Sequence, residues 1–170
     1  MKLSVAAFSA LLLGCALCAP AFAQTYQNEI SLFGAWDSAD KPTDTDTVNV
    51  NVRYGRFMTP RIVAQGTLGY NRFETHSSHA SASEFLAGAK YYFSEAQKQG
   101  LVPFADVGIG FANTDTPSRD STDLAWEIGG GIAMFLSERT SIDTALRLYH
   151  VDTHPDTEGV RLSIGLTTRF

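Results

Sequence analysis

His150, Asp152, His154 and Asp156 recur at every second position near the end of the chain. Imidazole and carboxylate are both transition-metal ligands, and residues two apart in an extended segment share one face. Pro155 interrupts that extension, and the other two histidines, His76 and His79, lie far off in sequence. The four therefore read as polar loop residues, and no metal or other cofactor is expected. Carboxylates also gather in three stretches: Asp37, Asp40, Asp44 and Asp46; Asp115, Asp120 and Asp123; and Asp152, Asp156 and Glu158, opposed only by Lys41 and Arg119. Such groups can take a divalent cation or a basic protein surface, with Asp44, Asp46, Asp152 and Asp156 as the candidate cation-binding positions. Their spacing is not that of an EF-hand loop, and Asp is also an ordinary turn residue.

The frame that would carry these groups begins after residue 23. Lys2 precedes an apolar run from Leu3 to Cys18, and Ala21-Phe22-Ala23 offers a small-x-small cleavage site before Gln24. That is the pattern of a secretory signal peptide, so residues 24–170 are expected to form one exported domain. A lipoprotein reading, with Leu12-Leu13-Gly14-Cys15 as the processing box, is the alternative. Cys15 and Cys18 are the only cysteines, so the mature chain would carry no disulfide and no thiolate chemistry. The chain carries −5, and −6 once Lys2 is gone, because residues 1–23 hold no other charge. An acidic balance offers no footprint for a polyanion, and no nucleic-acid partner is expected. No later segment is apolar enough for a transmembrane helix, which leaves a strand-built membrane protein open.

Period-two alternation recurs along the mature chain and predicts eight strands, near 28–36, 47–57, 62–73, 83–93, 102–112, 123–135, 141–150 and 161–170. The last runs Leu162, Ile164, Leu166, Thr168 and Phe170 on one face, with Arg161, Ser163, Gly165, Thr167 and Arg169 on the other. Short links at 58–61 and 137–140 alternate with long polar ones near 37–47, 74–83, 113–123 and 151–159. An up-and-down barrel across an outer membrane is built this way, with short turns inside and longer loops outside. A soluble lipocalin-like barrel would turn the apolar face inward instead. Three features favour the membrane barrel: a glycine-rich polar face suited to a narrow lumen, aromatic residues near strand ends, and strand lengths that match a tilted crossing.

The polar face then carries Glu29, Glu84, Asp106, Glu127 and Asp143 with Arg53, Lys90, Arg147, Arg161 and Arg169. Buried charges need partners. Strand adjacency pairs Lys90 with Asp106, Glu127 with Arg147, and Glu29 with Arg169 at the seam that closes the barrel. An eight-stranded barrel is just wide enough for side chains to fill, so a plugged polar lumen is expected rather than a diffusion pore.

The opening EISLFGAW, the central VPFADVGIGFA, WEIGGGIAMFL and a final alternating strand ending in Phe170 resemble the small outer-membrane β-barrel family of OmpA-like and OmpX-like eight-stranded barrels. The resemblance covers the whole mature chain. It implies an all-β, antiparallel, up-and-down transmembrane barrel in the outer membrane of a Gram-negative bacterium. It also implies contact with outer-membrane lipid and lipopolysaccharide, and a terminal aromatic read by the barrel-assembly machinery. The expected role is structural or interactive, through acidic external loops that meet an extracellular protein or a divalent cation. LRLYHVDT also resembles, loosely, the lipid A deacylase family, which would make His150 a catalytic base. That family places a serine two residues after the histidine. Here the position is Asp152, which cannot supply the hydroxyl that a Ser–His mechanism needs. No catalytic residue is therefore expected.

Overall fold

The computed structural model describes residues 27–39, 48–75, 78–95, 100–116, 119–152 and 157–170. The expected leader and the candidate cation positions Asp44, Asp46 and Asp156 lie outside the described residues. Eight strands run in chain order: β1 (Asn28–Ala39), β2 (Val48–Phe57), β3 (Ile62–Thr75), β4 (Ser78–Tyr92), β5 (Leu101–Thr116), β6 (Arg119–Phe135), β7 (Thr140–Val151) and β8 (Thr157–Arg169). Each pairs antiparallel with its neighbours, and β8 returns to β1 to close the barrel. The seam runs in register from Glu29↔Arg169 to Ala39↔Gly159. Closure gives each strand a neighbour on both sides, which is what a sheet surrounded by hydrocarbon requires.

The strands form where the sequence alternates, and alternation sets their facing. Leu32, Leu68 and Ile164 are 57%, 61% and 61% exposed on the outside, whereas Ser31 and Ser163 beside them are buried inside. A continuous outer surface of Val, Ile, Leu and aromatic residues is far larger than the apolar patches water tolerates, and it matches lipid as the surrounding medium. The lipocalin-like alternative needs the opposite facing and does not fit.

Two of the expected long links are corrected. The stretches 74–83 and 113–123 are mostly strand: β3 runs to Thr75 before β4 starts at Ser78, and β5 runs to Thr116 before β6 starts at Arg119. Above the apolar belt both faces of a strand are polar, so the apolar alternation that marks a strand fades while the backbone ladder continues.

The two short turns share one device. Thr59 Oγ1 accepts from the Ile62 amide at 3.0 Å, and Ser137 Oγ accepts from the Thr140 amide at 3.1 Å. A hydroxyl that takes the place of a backbone acceptor favours such turns. The 93–100 link re-enters the sheet at Gly100, whose φ of 115° suits only glycine. The start of β1 and the last residue of the chain meet beside these turns: the Gln27 and Asn28 amides donate to the Phe170 carbonyl at 3.1 and 2.9 Å, and the Phe170 amide donates to Asn28 O at 3.0 Å.

The lumen is not uniformly polar, which corrects the expected polar plug. At the end that holds Gln27 and Phe170 it is floored by Phe57, Val63, Tyr92, Val102, Phe104, Ala133, Phe135 and Ala145. A smaller cluster of Leu86, Ala112 and Ala125 lies at the other end. Large inner rings need small opposing residues: a Cβ on Gly165 would collide with the Phe33 ring, its direct partner across the seam. Side chains fill a barrel of this width by alternating large with small in this way.

Candidate functional site

Among the described residues, the inward phase of the strands brings ten charged side chains into the lumen, and all are buried: Glu29, Arg53, Glu84, Lys90, Asp106, Glu127, Asp143, Arg147, Arg161 and Arg169. They sort into two networks, each with equal numbers of cations and anions.

The network at the end that holds Gln27 and Phe170 joins Lys90, Arg169, Glu29 and Asp143. Lys90 Nζ is 2.9 Å from Asp143 Oδ2 and 3.3 Å from Glu29 Oε1. Arg169 Nε lies 3.6 Å from Glu29 Oε2. Hydroxyls complete the set: Tyr92 donates to Glu29 Oε2 at 2.9 Å, and Ser141 to Asp143 Oδ1 at 2.6 Å. Arg169 Nη2 donates to the Tyr92 oxygen at 2.9 Å. The cations also rest on rings, with Lys90 Nζ 4.5 Å from the Phe104 centroid and the Arg169 guanidinium 4.3 Å from that of Phe135. Desolvated cations over aromatic faces gain from the ring quadrupole.

The second network holds Arg53, Arg147 and Arg161 with Asp106, Glu127 and Glu84. Asp106 Oδ2 receives Arg53 Nη1 at 2.8 Å and Arg147 Nη2 at 2.7 Å. Arg53 Nη2 is 2.8 Å from Glu127 Oε1, and its Nε donates to Thr67 Oγ1 at 2.9 Å. Arg161 Nη1 reaches Glu84 at 3.1 Å and Glu127 at 3.6 Å. Arg53 and Arg147 both pack on Phe33, and Arg161 on Tyr149.

The expected pairing by strand adjacency is corrected for one of its three pairs, and in a second the expected partner is the more distant one. Lys90 and Asp106 are direct cross-strand partners, yet Lys90 reaches across to β1 and β7 while Asp106 is held by two arginines. Glu127 takes Arg53 as its near partner, and Arg147 Nε stands off at 3.9 Å. In a narrow closed barrel, long side chains span the lumen, so a cross-strand neighbour need not be the nearest partner. Glu29 and Arg169 do meet at the seam. The inner rings Phe33, Tyr92, Phe104 and Tyr149 were legible only through their phase on the strands.

On the outside, at the rim away from Gln27 and Phe170, Trp126, His150 and Glu158 form a row across β6, β7 and β8. His150 Nδ1 is 3.0 Å from Glu158 Oε1, and the imidazole stacks on Trp126 with centroids 5.5 Å apart. In the sequence Glu158 is only one of the loop acids; its place opposite His150 comes from the β7–β8 register. Asp152 is exposed, and its amide donates to Leu124 O at 2.9 Å. His154 and Asp156 lie outside the described residues. Among the described residues no cluster of three or more metal-ligating side chains is present. At the seam, the Phe170 ring is 56% exposed while its backbone is tied to Asn28.

A closed eight-stranded barrel with apolar side chains outside and paired charges inside defines a small outer-membrane β-barrel protein. The family model for the outer membrane protein beta-barrel domain matches residues 9–170, and the chain belongs to that family. No curated protein sequence matches it. Among solved structures it is similar to Neisserial surface protein A, at 14% identity and a TM-score of 0.62, covering 86% of this chain and 98% of that one. It is similar to Ail, the attachment invasion locus protein of Yersinia pestis, at 15% identity and 0.57, covering 86% and 100%. The outer membrane enzyme PagL matches at 16% identity and 0.58, covering 82% and 99%. At such identities these likenesses establish the fold.

Proposed function

We propose that this protein is exported by its leader and serves a structural or interactive role in the outer membrane. Its acidic external connections would present carboxylates to lipopolysaccharide, to divalent cations or to an extracellular protein partner. The observation that carries this reading is the lumen. Its ten buried charges are matched in number within two networks and packed on rings, so the chemistry left for partners is on the outside. The family membership and the likeness to the attachment protein Ail support the same direction. Phe170 is assigned to recognition by the barrel-assembly machinery, because its ring faces outward while its backbone completes the seam.

A second reading, a lipid A acyl hydrolase, has one observation in its favour. His150 is oriented by Glu158 as a catalytic base is oriented by an acid, and PagL shares the fold. Asp152 in the nucleophile position argues against it. One experiment separates the two. Protein partners are captured from intact cells that carry either the whole barrel or versions with residues 40–47 or 153–156 replaced by a short Gly-Ser link. The same purified proteins are assayed for release of acyl chains from lipopolysaccharide. The interaction role expects capture that falls with loop replacement and no acyl release; release that disappears in His150→Ala would establish the enzyme instead.

A further inference from the structure

Asn71 Oδ1, Asn51 Oδ1 and Gln65 Oε1 are buried in the lumen and have no hydrogen-bond partner among the described residues. All three belong to one wall, the inner face of β2 and β3, where Asn49↔Asn71, Asn51↔Gly69 and Gly55↔Gln65 are direct cross-strand pairs. From Asn71 to Gln65 this wall extends roughly 20 Å along the strand. A buried carboxamide oxygen without a donor is costly, so three along one wall call for donors.

The geometry at Gly69 says where one donor would sit. A Cβ there would collide with Asn51 Oδ1 and lie 3.5 Å from Glu84 Oε2, so two acceptors converge on one notch. They repel unless a donor bridges them. Among the described residues the lumen already balances five cations against five anions, with Arg161 on Glu84, so a further cation would be left unmatched. A neutral donor satisfies the oxygens without disturbing that balance, and water is the small molecule with two O–H donors. Directly below Gln65 on the same two strands, Phe57 and Val63 face one another and open the apolar cluster with Tyr92, Phe104 and Phe135. There the polar wall stops.

We propose that the β2–β3 wall is a water-binding path with Asn71, Asn51 and Gln65 as its acceptors, and that the aromatic floor, rather than the ion-pair networks, closes it at the end that holds Gln27 and Phe170. The path is a structural property of the lumen and does not depend on the external role.

The test has two arms. In a high-resolution crystal structure, water oxygens should lie within hydrogen-bonding distance of Asn51 Oδ1 and Gln65 Oε1; an Asn51 amide bonded directly to Glu84 with no water between would overturn the path. In proteoliposomes, osmotic water permeability is followed by stopped-flow light scattering. The unaltered protein should match protein-free vesicles, and Phe135→Ala should raise permeability several-fold. Adding Asn51→Leu should reverse much of that gain, and Arg53→Met alone should leave the vesicles tight. Folding of each variant is checked by heat-modifiable gel mobility, and Phe57→Ala replaces Phe135→Ala if the latter fails that check. No gain on opening the floor, or a gain in Arg53→Met, would overturn the assignment of the seal.

Discussion

Lys90 and Asp106 stand directly opposite one another on β4 and β5, yet the Lys90 ammonium lies 2.9 Å from Asp143 on β7 and 3.3 Å from Glu29 on β1. Asp106 is held instead by Arg53 and Arg147, at 2.8 and 2.7 Å. The lumen therefore couples strands that are not neighbours in the sheet. Lys90, Arg53 and Arg161 are each shared between acids from different staves, so the charges tie the barrel across its width as well as around its wall.

That arrangement predicts how the charges trade energy. A double-mutant cycle between Lys90→Met and Asp143→Asn should give a coupling within the range of about 0.5–3 kcal/mol found for contacting pairs. The cycle between Lys90→Met and Asp106→Asn should give less, despite their cross-strand register. Lys90→Met alone should destabilise by about 3–5 kcal/mol, because it leaves Glu29 and Asp143 buried with one cation fewer. Urea unfolding in lipid vesicles, followed by tryptophan fluorescence, reads all three. Equal coupling for the two pairs would mean that sheet neighbours, not cross-lumen partners, hold the charges.

How much of this was legible in the sequence follows from what each feature depends on. Facing was legible because alternation is itself the cause: Leu162, Ile164 and Leu166 must point one way if Arg161, Ser163 and Thr167 point the other. The charged lumen set followed from the same phase. Pairing within the set was not legible, since Lys90 meets Asp143 only after eight strands close and bring β4 across from β7. The ends of β3 and β4 near Thr75 and Ser78 were hidden for another reason. Beyond the hydrocarbon belt no apolar face is needed, so nothing in residue type marks where the ladder stops. The His150–Glu158 pair needed the β7–β8 register, which depends on where a polar connection ends.

The outward face makes a depth-dependent prediction. Ile164 lies mid-strand on β8 and is 61% exposed, whereas Val160 sits two residues from Glu158 at the outer rim. Arginine on the lipid face of a barrel costs about 2–4 kcal/mol at the bilayer midplane and roughly 0–1 kcal/mol near the interfaces. Ile164→Arg should therefore lower the unfolding free energy in vesicles by the larger amount, and Val160→Arg by the smaller. Similar costs at both positions would place the belt elsewhere on the barrel.

Phe170 combines two roles that substitution can separate. Its amide and carbonyl join Asn28 and Gln27 at the seam, and its ring is more than half exposed. Phe170→Ala keeps the backbone bonds and removes only the ring, whereas deletion of the residue removes both. If the ring is what the assembly machinery reads, Phe170→Ala should sharply reduce the amount of heat-modifiable barrel in outer-membrane fractions. The same variant, refolded from urea into vesicles without that machinery, should lose no more than about 1 kcal/mol, as expected for a side chain left largely outside the packed interior. Deletion should add a stability loss by freeing the amide and carbonyl that close β8 on β1, in a medium where unpaired backbone groups find no water. A parallel fall in cellular assembly and in vesicle stability for Phe170→Ala would instead make the ring an ordinary packing residue of the seam.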